Sequence, residues 1–392
     1  MSKGNEPNLD HCLKCSTCHT QCPVVMNHLA FPGPKQLGPE LERLRLARGN
    51  QEPLEIDEAL SYCTNCKRCD IACPHGVKPS YYNLKNKAKL KGAPLDNFRD
   101  WFLAHNVWWG KIASKVPNLA NFGLQFPLTK VGMGIVGIAK RDFPTYRKQQ
   151  IKLSKAEKAK RVLYYTGCYA SYNEPEVIQA TINILEACDY QVELAPVGCC
   201  GTPMVSNGLW DEASKLAEKN TDIFLKYIDQ GYKIVTTCSS CGLALKEEYS
   251  HLNPGEKNNR FKENVWDLFE LLDEEEKLPF YHKEKNAKKA YYHVPCHLKA
   301  QGIGVPATKL LKEMAVDELI VEDSYCCGIS GTYGFKKEKY SLAMSIGAPL
   351  FKDIKEAQVP LVITDCGTCK LQIVHGTGVE VKHPAVILEK YL

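Results

Sequence analysis

No run of 18 apolar residues occurs in this chain of 392 residues, so no membrane-spanning helix is expected. The longest apolar stretch, near Val131 to Ala139, is far too short to cross. The first ten residues are polar and lack an apolar core, which argues against a secretory leader. No Walker loop is present and no nucleotide-binding fingerprint is read, so no nucleotide or flavin is expected on this chain, and any flavin should reside on a partner. The histidines other than His297 offer no catalytic-zinc spacing. Net charge is small as well: +5 is too little to argue for nucleic acid, and none is expected as a partner. The stretch from Arg147 to Arg161 accounts for all of it, with Lys148, Lys152, Lys155, Lys158 and Lys160 between its ends against the single acid Glu157.

What is abundant is cysteine, at 19 residues. In a secreted chain that number would suggest disulfides, but C-x-x-C ladders without a leader suggest metal binding in a reducing compartment. Eighteen of the 19 fall into four patterns, leaving Cys188 alone in a helical stretch, where a buried structural thiol is expected. Two patterns are runs of C-x2-C-x2-C-x3-C-P: Cys12, Cys15, Cys18, Cys22 and Cys63, Cys66, Cys69, Cys73. Four thiolates hold a cubane [4Fe–4S] cluster, and in two-cluster ferredoxins the fourth cysteine of each run serves the other cluster. Cys12, Cys15, Cys18 and Cys73 are therefore assigned to one cubane, and Cys63, Cys66, Cys69 and Cys22 to a second. Structural zinc is the competing reading, but it rarely uses three cysteines at equal spacing followed by Cys-Pro. In the insert between the runs, Lys35, Arg43 and Arg45 are expected to be plain surface charge.

The other two patterns are Cys168, Cys199-Cys200-Gly201, Cys238, Cys241 and Cys296, Cys326-Cys327-Gly328, Cys366, Cys369. Cys296 follows Cys168 by 128 positions, Cys326 follows Cys199 by 127, and Cys366 and Cys369 follow Cys238 and Cys241 by 128. A near-constant offset identifies an internal repeat. RVLYYTGC, KAYYHVPC, YKIVTTCSSC and VPLVITDCGTC read as strands ending at a cysteine, with helical patterns such as EPEVIQATINILEAC between them. Strand and helix alternate, so each copy is expected to be a small α/β unit with a mainly parallel sheet, its thiols gathered beyond the strand ends. Adjacent cysteines suit different irons of one extended cluster, and Gly201 and Gly328 would let the backbone approach it closely. Redox disulfides or zinc are the alternatives. His297, beside Cys296, is read as a structural histidine, with donation to a cluster sulfur as the alternative.

The expected organisation is a ferredoxin-type module over residues 1–95, a connecting segment over 96–160, and two repeats over 161–288 and 289–392. In the connecting segment, Phe98, Trp101, Phe102, Trp108, Trp109, Ile112 and Val116 recur at near-helical spacing, with Arg99, Lys111 and Lys115 elsewhere around the helix. Such a helix suits a membrane interface, or else ordinary packing on its own domain or on a partner subunit.

A ferredoxin module joined to two Cys-Cys-Gly repeats resembles the Cys-Cys-Gly-domain iron–sulfur family. That family contains the D subunit of heterodisulfide reductase, the iron–sulfur subunits of lactate and glycolate oxidases, and the C subunit of anaerobic glycerol-3-phosphate dehydrogenase. FPGPKQLGPELERLRL, CTNCKRCDIACP, CCGISGTYGFKKEKY and SIGAPLF are similar to the glycerol-3-phosphate dehydrogenase branch, and the likeness runs almost end to end. The resemblance implies an α+β chain: a helical bis-[4Fe–4S] module followed by two α/β repeats. It also implies one or two further clusters, of non-cubane [4Fe–4S] type, at the Cys-Cys-Gly sites. As partners it implies FAD-containing dehydrogenase subunits as electron donors, menaquinone as acceptor, and peripheral contact with the cytoplasmic side of the inner membrane. The alternatives within the family are a heterodisulfide-reductase-like catalytic subunit and the iron–sulfur subunit of a lactate or glycolate oxidase or a type-E succinate:quinone reductase. Whether the chain is itself an enzyme is left open, as is the donor substrate. The first repeat is complete here, whereas members of the glycerol-3-phosphate dehydrogenase branch can lack cysteines in it.

Overall fold

The computed structural model describes residues 9–49, 58–90, 92–154, 156–275 and 277–392. Lys155 of the basic stretch and residues 50–57 of the insert between the cysteine runs lie outside them. The amino-terminal part is built from short helices around two cysteine loops. Its longest helix, Pro79–Lys87, starts with proline at the first helical position, where a missing N–H costs nothing. Tyr81, Tyr82 and Leu84 on that helix are buried. Four short helices follow, Pro94–Ala104, Asn106–Ala113, Pro117–Gln125 and Pro127–Ile135, three of them opened by proline. The aromatic stretch expected as one helix is thus two, broken at His105, whose backbone leaves the helical region.

Each repeat is a four-stranded, all-parallel sheet. In the first, β1 (Lys160–Tyr165), β2 (Tyr190–Leu194), β3 (Lys233–Thr236) and β4 (Val265–Asp267) lie in the order β2-β1-β3-β4. In the second, β5 (Ala287–His293), β6 (Val316–Glu322), β7 (Leu361–Ile363) and β8 (Glu380–Lys382) repeat it as β6-β5-β7-β8. The order reverses between β1 and β3 and between β5 and β7, which opens a crevice at the strand ends. β4 and β8, three residues each, carry no pattern long enough to read from sequence.

Both faces of each sheet are covered, as parallel sheets require. On β1, Val162 and Tyr164 enter a core shared by the two repeats, together with Ala290, Tyr292 and Val294 of the second. Leu163 and Tyr165 enter a separate core beneath helix Trp210–Ile228. Tyr291 enters the matching outer core of the second repeat. The ferredoxin module shares apolar packing with the second repeat, since Cys22, Val24, Phe31 and Leu37 cluster with Cys326, Tyr333, Leu342 and Ile346. Its Leu84 joins the outer core of the first repeat, so the module touches both.

Candidate functional site

The two ferredoxin loops have the same backbone. Lys14 (φ 59°) and Ser16 (φ 67°) in the first match Asn65 (φ 54°) and Lys67 (φ 61°) in the second. None is glycine, so each left-handed turn is strained by about 1–3 kcal/mol and must be held by its surroundings. Turns of this kind aim successive N–H groups into one concavity, a geometry suited to anions and iron–sulfur groups. The bracing is visible for the first loop. Lys35 Nζ donates to Ser16 Oγ at 2.9 Å, and Arg43 Nη2 donates to the carbonyls of Leu9 and Cys12 at 2.6 and 2.9 Å. Lys35 and Arg43 are therefore structural braces, and Arg45 is tied to the buried Glu42. The expectation of plain surface charge fails for all three.

Cys12, Cys15, Cys18 and Cys73 surround one hollow of about 340 Å³. Cys22, Cys63, Cys66 and Cys69 surround another of about 320 Å³. The first lies toward solvent, with Cys15 exposed, whereas Cys22, Cys66 and Cys69 of the second are buried. Burial pushes the Cys18 thiol up to about 11 and the Cys22 thiol up to about 12, and the neighbouring thiols add to both shifts. Such a set ionises readily only around a cation, which is the behaviour of a metal-thiolate centre.

The repeats gather their thiols at the strand ends. Cys168 follows β1, Cys199 and Cys200 follow β2, and Cys238 and Cys241 follow β3. The second repeat places Cys296, Cys326, Cys327, Cys366 and Cys369 in the same way, with Cys327 Sγ 3.2 Å from Cys369 Sγ. At each site a thiol is held well below its ordinary range by donation from its neighbours, and at the second Cys366 is lowered too, to about 6, by donation from Cys369. Cys200 accepts from Cys199 and Cys241, and Cys327 accepts from Cys326 and Cys369. Cys188 packs apart from these thiols, in the shared apolar core.

Gly201 and Gly328 have positive φ, at 87° and 86°. At Gly328 the structure shows a packing role beside the expected close approach to a cluster. A Cβ there would come within 2.0 Å of the Ala343 carbonyl oxygen, so the glycine is needed to seat the turn against helix Lys337–Ala357. At Gly201 a Cβ would meet only ordinary contacts, the nearest at 3.8 Å.

The two repeats interlock through equivalent residues. Tyr169, after Cys168, lies on Gly367 between Cys366 and Cys369, where a Cβ would meet its ring at 2.1 Å. His297, after Cys296, reaches Ser240 between Cys238 and Cys241, with Nδ1 to Oγ at 2.9 Å. Its Nε2 lies 2.8 Å from the Asn65 carbonyl in the ferredoxin loop. A carbonyl can only accept, so Nε2 carries the proton and Nδ1 accepts from Ser240. One imidazole thus joins loops from three cysteine sets, and neither nitrogen is free to reach a sulfur. Asn65 Nδ2 continues the network to Glu248 Oε1 at 3.1 Å, and Glu248 pairs with Lys67 at 3.3 Å.

Sequence reading missed His293, although KAYYHVPC contains it and it stands four residues before His297. It closes β5 and lies buried beside Cys327 and Cys369, the three ligand-type atoms within 4.8 Å of one another. Burial alone would push its imidazole down, but Cys327 and the Glu322 carboxylate at 3.5 Å hold it up at about 9. At the 128-residue offset the first repeat has Tyr165, so the signal was a strand-end position where the copies differ. Two residues of the connecting segment were missed as well. Asn106 Nδ2 lies 3.6 Å from Cys168 Sγ, and the buried Arg141 lies near Cys327 and Tyr169.

The comparisons agree with this architecture. A 4Fe-4S dicluster domain matches residues 8–77, and a Cysteine-rich domain matches residues 162–246 and again 290–374. The C subunit of anaerobic glycerol-3-phosphate dehydrogenase of Escherichia coli is 35% identical over 99% of this chain and 100% of its own length. The chain belongs to the family of that protein. Within the wider family, the glycolate oxidase iron-sulfur subunit of Escherichia coli is 27% identical over 97% of the chain and 93% of its own length. The D subunit of dihydromethanophenazine:CoB–CoM heterodisulfide reductase of Methanosarcina acetivorans is 24% identical over 94% and 89%. This member of the glycerol-3-phosphate dehydrogenase branch is an α+β iron–sulfur protein of the oxidoreductase class, with a dicluster module followed by two cysteine-rich repeats. Among its described residues no helix is long and apolar enough to cross a membrane.

Proposed function

We propose that the chain is the electron-transfer subunit of an anaerobic dehydrogenase, taking electrons from an FAD-containing partner, most simply a glycerol-3-phosphate dehydrogenase pair, and delivering them to menaquinone. Iron–sulfur clusters supply one-electron chemistry at such sites. Cys12, Cys15, Cys18 and Cys73 would hold one cubane [4Fe–4S] cluster, and Cys22, Cys63, Cys66 and Cys69 the other. Cys168, Cys199, Cys200, Cys238 and Cys241, and likewise Cys296, Cys326, Cys327, Cys366 and Cys369, would hold one or two further clusters of non-cubane type. The observation that carries the reading is the sorting of the ferredoxin thiols into two fours, Cys22 and Cys73 each crossing to the other run. Anaerobic purification followed by iron, sulfide and EPR analysis tests it. Two cubanes alone bring about eight irons per chain, and fewer than about four irons, or zinc in their place, refutes the proposal.

Contact with the cytoplasmic face of the inner membrane is part of the same proposal. The helices over 94–135 expose Trp108, Ile112, Leu119, Phe122, Leu128 and Ile135, large apolar side chains of the kind that seat a helix at a membrane interface. Arg99 does not serve the basic side of that surface, because it is buried and paired with Asp100 and Glu338. Flotation with anionic liposomes checks the contact. Replacing Leu119, Phe122 and Leu128 with serine should abolish co-flotation of a still-folded chain, and undiminished flotation refutes it.

A second reading, disulfide reduction at the second repeat, is favoured by the fifth thiol there. An unchanged EPR spectrum when disulfides are added to the oxidised protein counts against it.

A further inference from the structure

The connecting segment brings a polar side chain close to the thiols of each repeat, and the two differ in charge. At the first site it is the neutral amide of Asn106, 3.6 Å from Cys168 Sγ. At the second it is the Arg141 guanidinium, 6% exposed. Arg141 lies 4.5 Å over the Phe335 ring, and its Nη1 donates to the Gly334 carbonyl at 3.0 Å. Its Nε and Nη2 are buried and have no hydrogen-bond partner among the described residues, and none of those residues forms an ion pair with it. Asp142 is nearby, but its carboxylate reaches out to His375 Nδ1 at 2.9 Å.

A buried cation without an anion costs several kcal/mol. The acidic groups around Arg141 are Asp142 and the Cys327 thiol, when ionised. At the first site the largest charge effects on Cys168 come from other cysteines, and the charge near Cys200 is the buried Glu248 carboxylate, which Lys67 pairs at 3.3 Å. The second also feels His293, which lies beside Cys327, and Arg68, through Cys296. Net charge and donors around the sulfurs set the reduction potential of a thiolate-held iron centre. A fixed positive charge favours the more negative, reduced form.

We infer that Arg141 is a fixed counter-charge of the second Cys-Cys-Gly site, beside His293 and Arg68, and helps make it the more readily reduced of the two. The inference rests on the proposal that both repeats hold clusters. It assigns a positioning role to a residue outside both repeats, acting through charge on Cys327 and its neighbours.

Redox titration of the anaerobically purified full chain, followed by EPR, tests the inference. A Cys296→Ser variant first identifies the second-site signal by its loss. Arg141→Gln should then lower the reduced-to-oxidised ratio of that signal about tenfold at fixed potential, which is about 59 mV for one electron. The other signals should stay in place, and Arg141→Lys should restore most of the ratio. Asn106→Lys, which brings a cation to Cys168, should raise the ratio of the first-site signal instead. A second-site ratio within about twofold of the parent in Arg141→Gln, at unchanged iron content, overturns the inference, as does an equal shift of every signal. Should Arg141→Gln fail to hold iron, an unmoved first-site ratio in Asn106→Lys overturns it. If Cys296→Ser removes no signal, the reading of the second site as a cluster site falls, and this inference with it.

Discussion

The two repeats share a strand order and five thiols each, yet they differ in nearly every side chain that faces those thiols. Tyr165 in the first stands where His293 does in the second. Ala195, beside Tyr165 across the β1–β2 pair, stands where Glu322 pairs with His293. Tyr164 bonds Thr237 Oγ1 at 2.8 Å, while its counterpart Tyr292 bonds the carboxylate of Asp365. The backbone has been kept and the charge has not. Duplication fixed where the thiols lie, and later substitution altered what surrounds them, so equal cysteine patterns need not mean equal chemistry.

The comparison can be broken most severely at the glycines. Gly328→Ala should destabilise the chain by about 4 kcal/mol or more, since a left-handed residue would also drive its Cβ into the Ala343 carbonyl. Gly201→Ala at the matching position should cost only the backbone strain, about 1–2 kcal/mol. Urea unfolding of the two variants under anaerobic conditions measures both, and equal losses would show that the turns are seated alike.

A smaller effect is expected at the strand-end pair. His293→Phe leaves Glu322 buried beside an apolar ring, at a cost of about 3 kcal/mol in the same assay. Tyr165→Phe should bring no loss of stability, because among the described residues the buried Tyr165 hydroxyl has no hydrogen-bond partner to lose. A large loss from Tyr165→Phe would mean that the hydroxyl has a partner in the loaded protein, and the asymmetry argued here would shrink.

The sequence carried the fold class because the repeat offset and the strand runs before Cys168, Cys238, Cys296 and Cys366 are local signals that survive without tertiary context. Helix Trp210–Ile228 coincides with its apolar pattern for the same reason. The hidden features depend on residues far apart in the chain. Arg141 meets Gly334 across 193 positions and Asn106 meets Cys168 across 62, and no periodicity relates them. Lys35 and Arg43 looked like solvated charge because their targets are backbone carbonyls and a hydroxyl, which leave no mark in the sequence. The break at His105 was equally silent, since aromatic spacing continues across it.

His297 has a consequence for how the molecule is put together. Its two hydrogen bonds form only when the second repeat, the first repeat and the ferredoxin loop have all arrived. The same contact ties the Cys63–Cys66 turn to the Cys238–Cys241 turn. Ordering either turn around iron is therefore coupled to making this contact. Cofactor maturation and domain docking become one cooperative event, as metal uptake and folding do elsewhere. An empty chain should be loosest where a full one is most tightly tied.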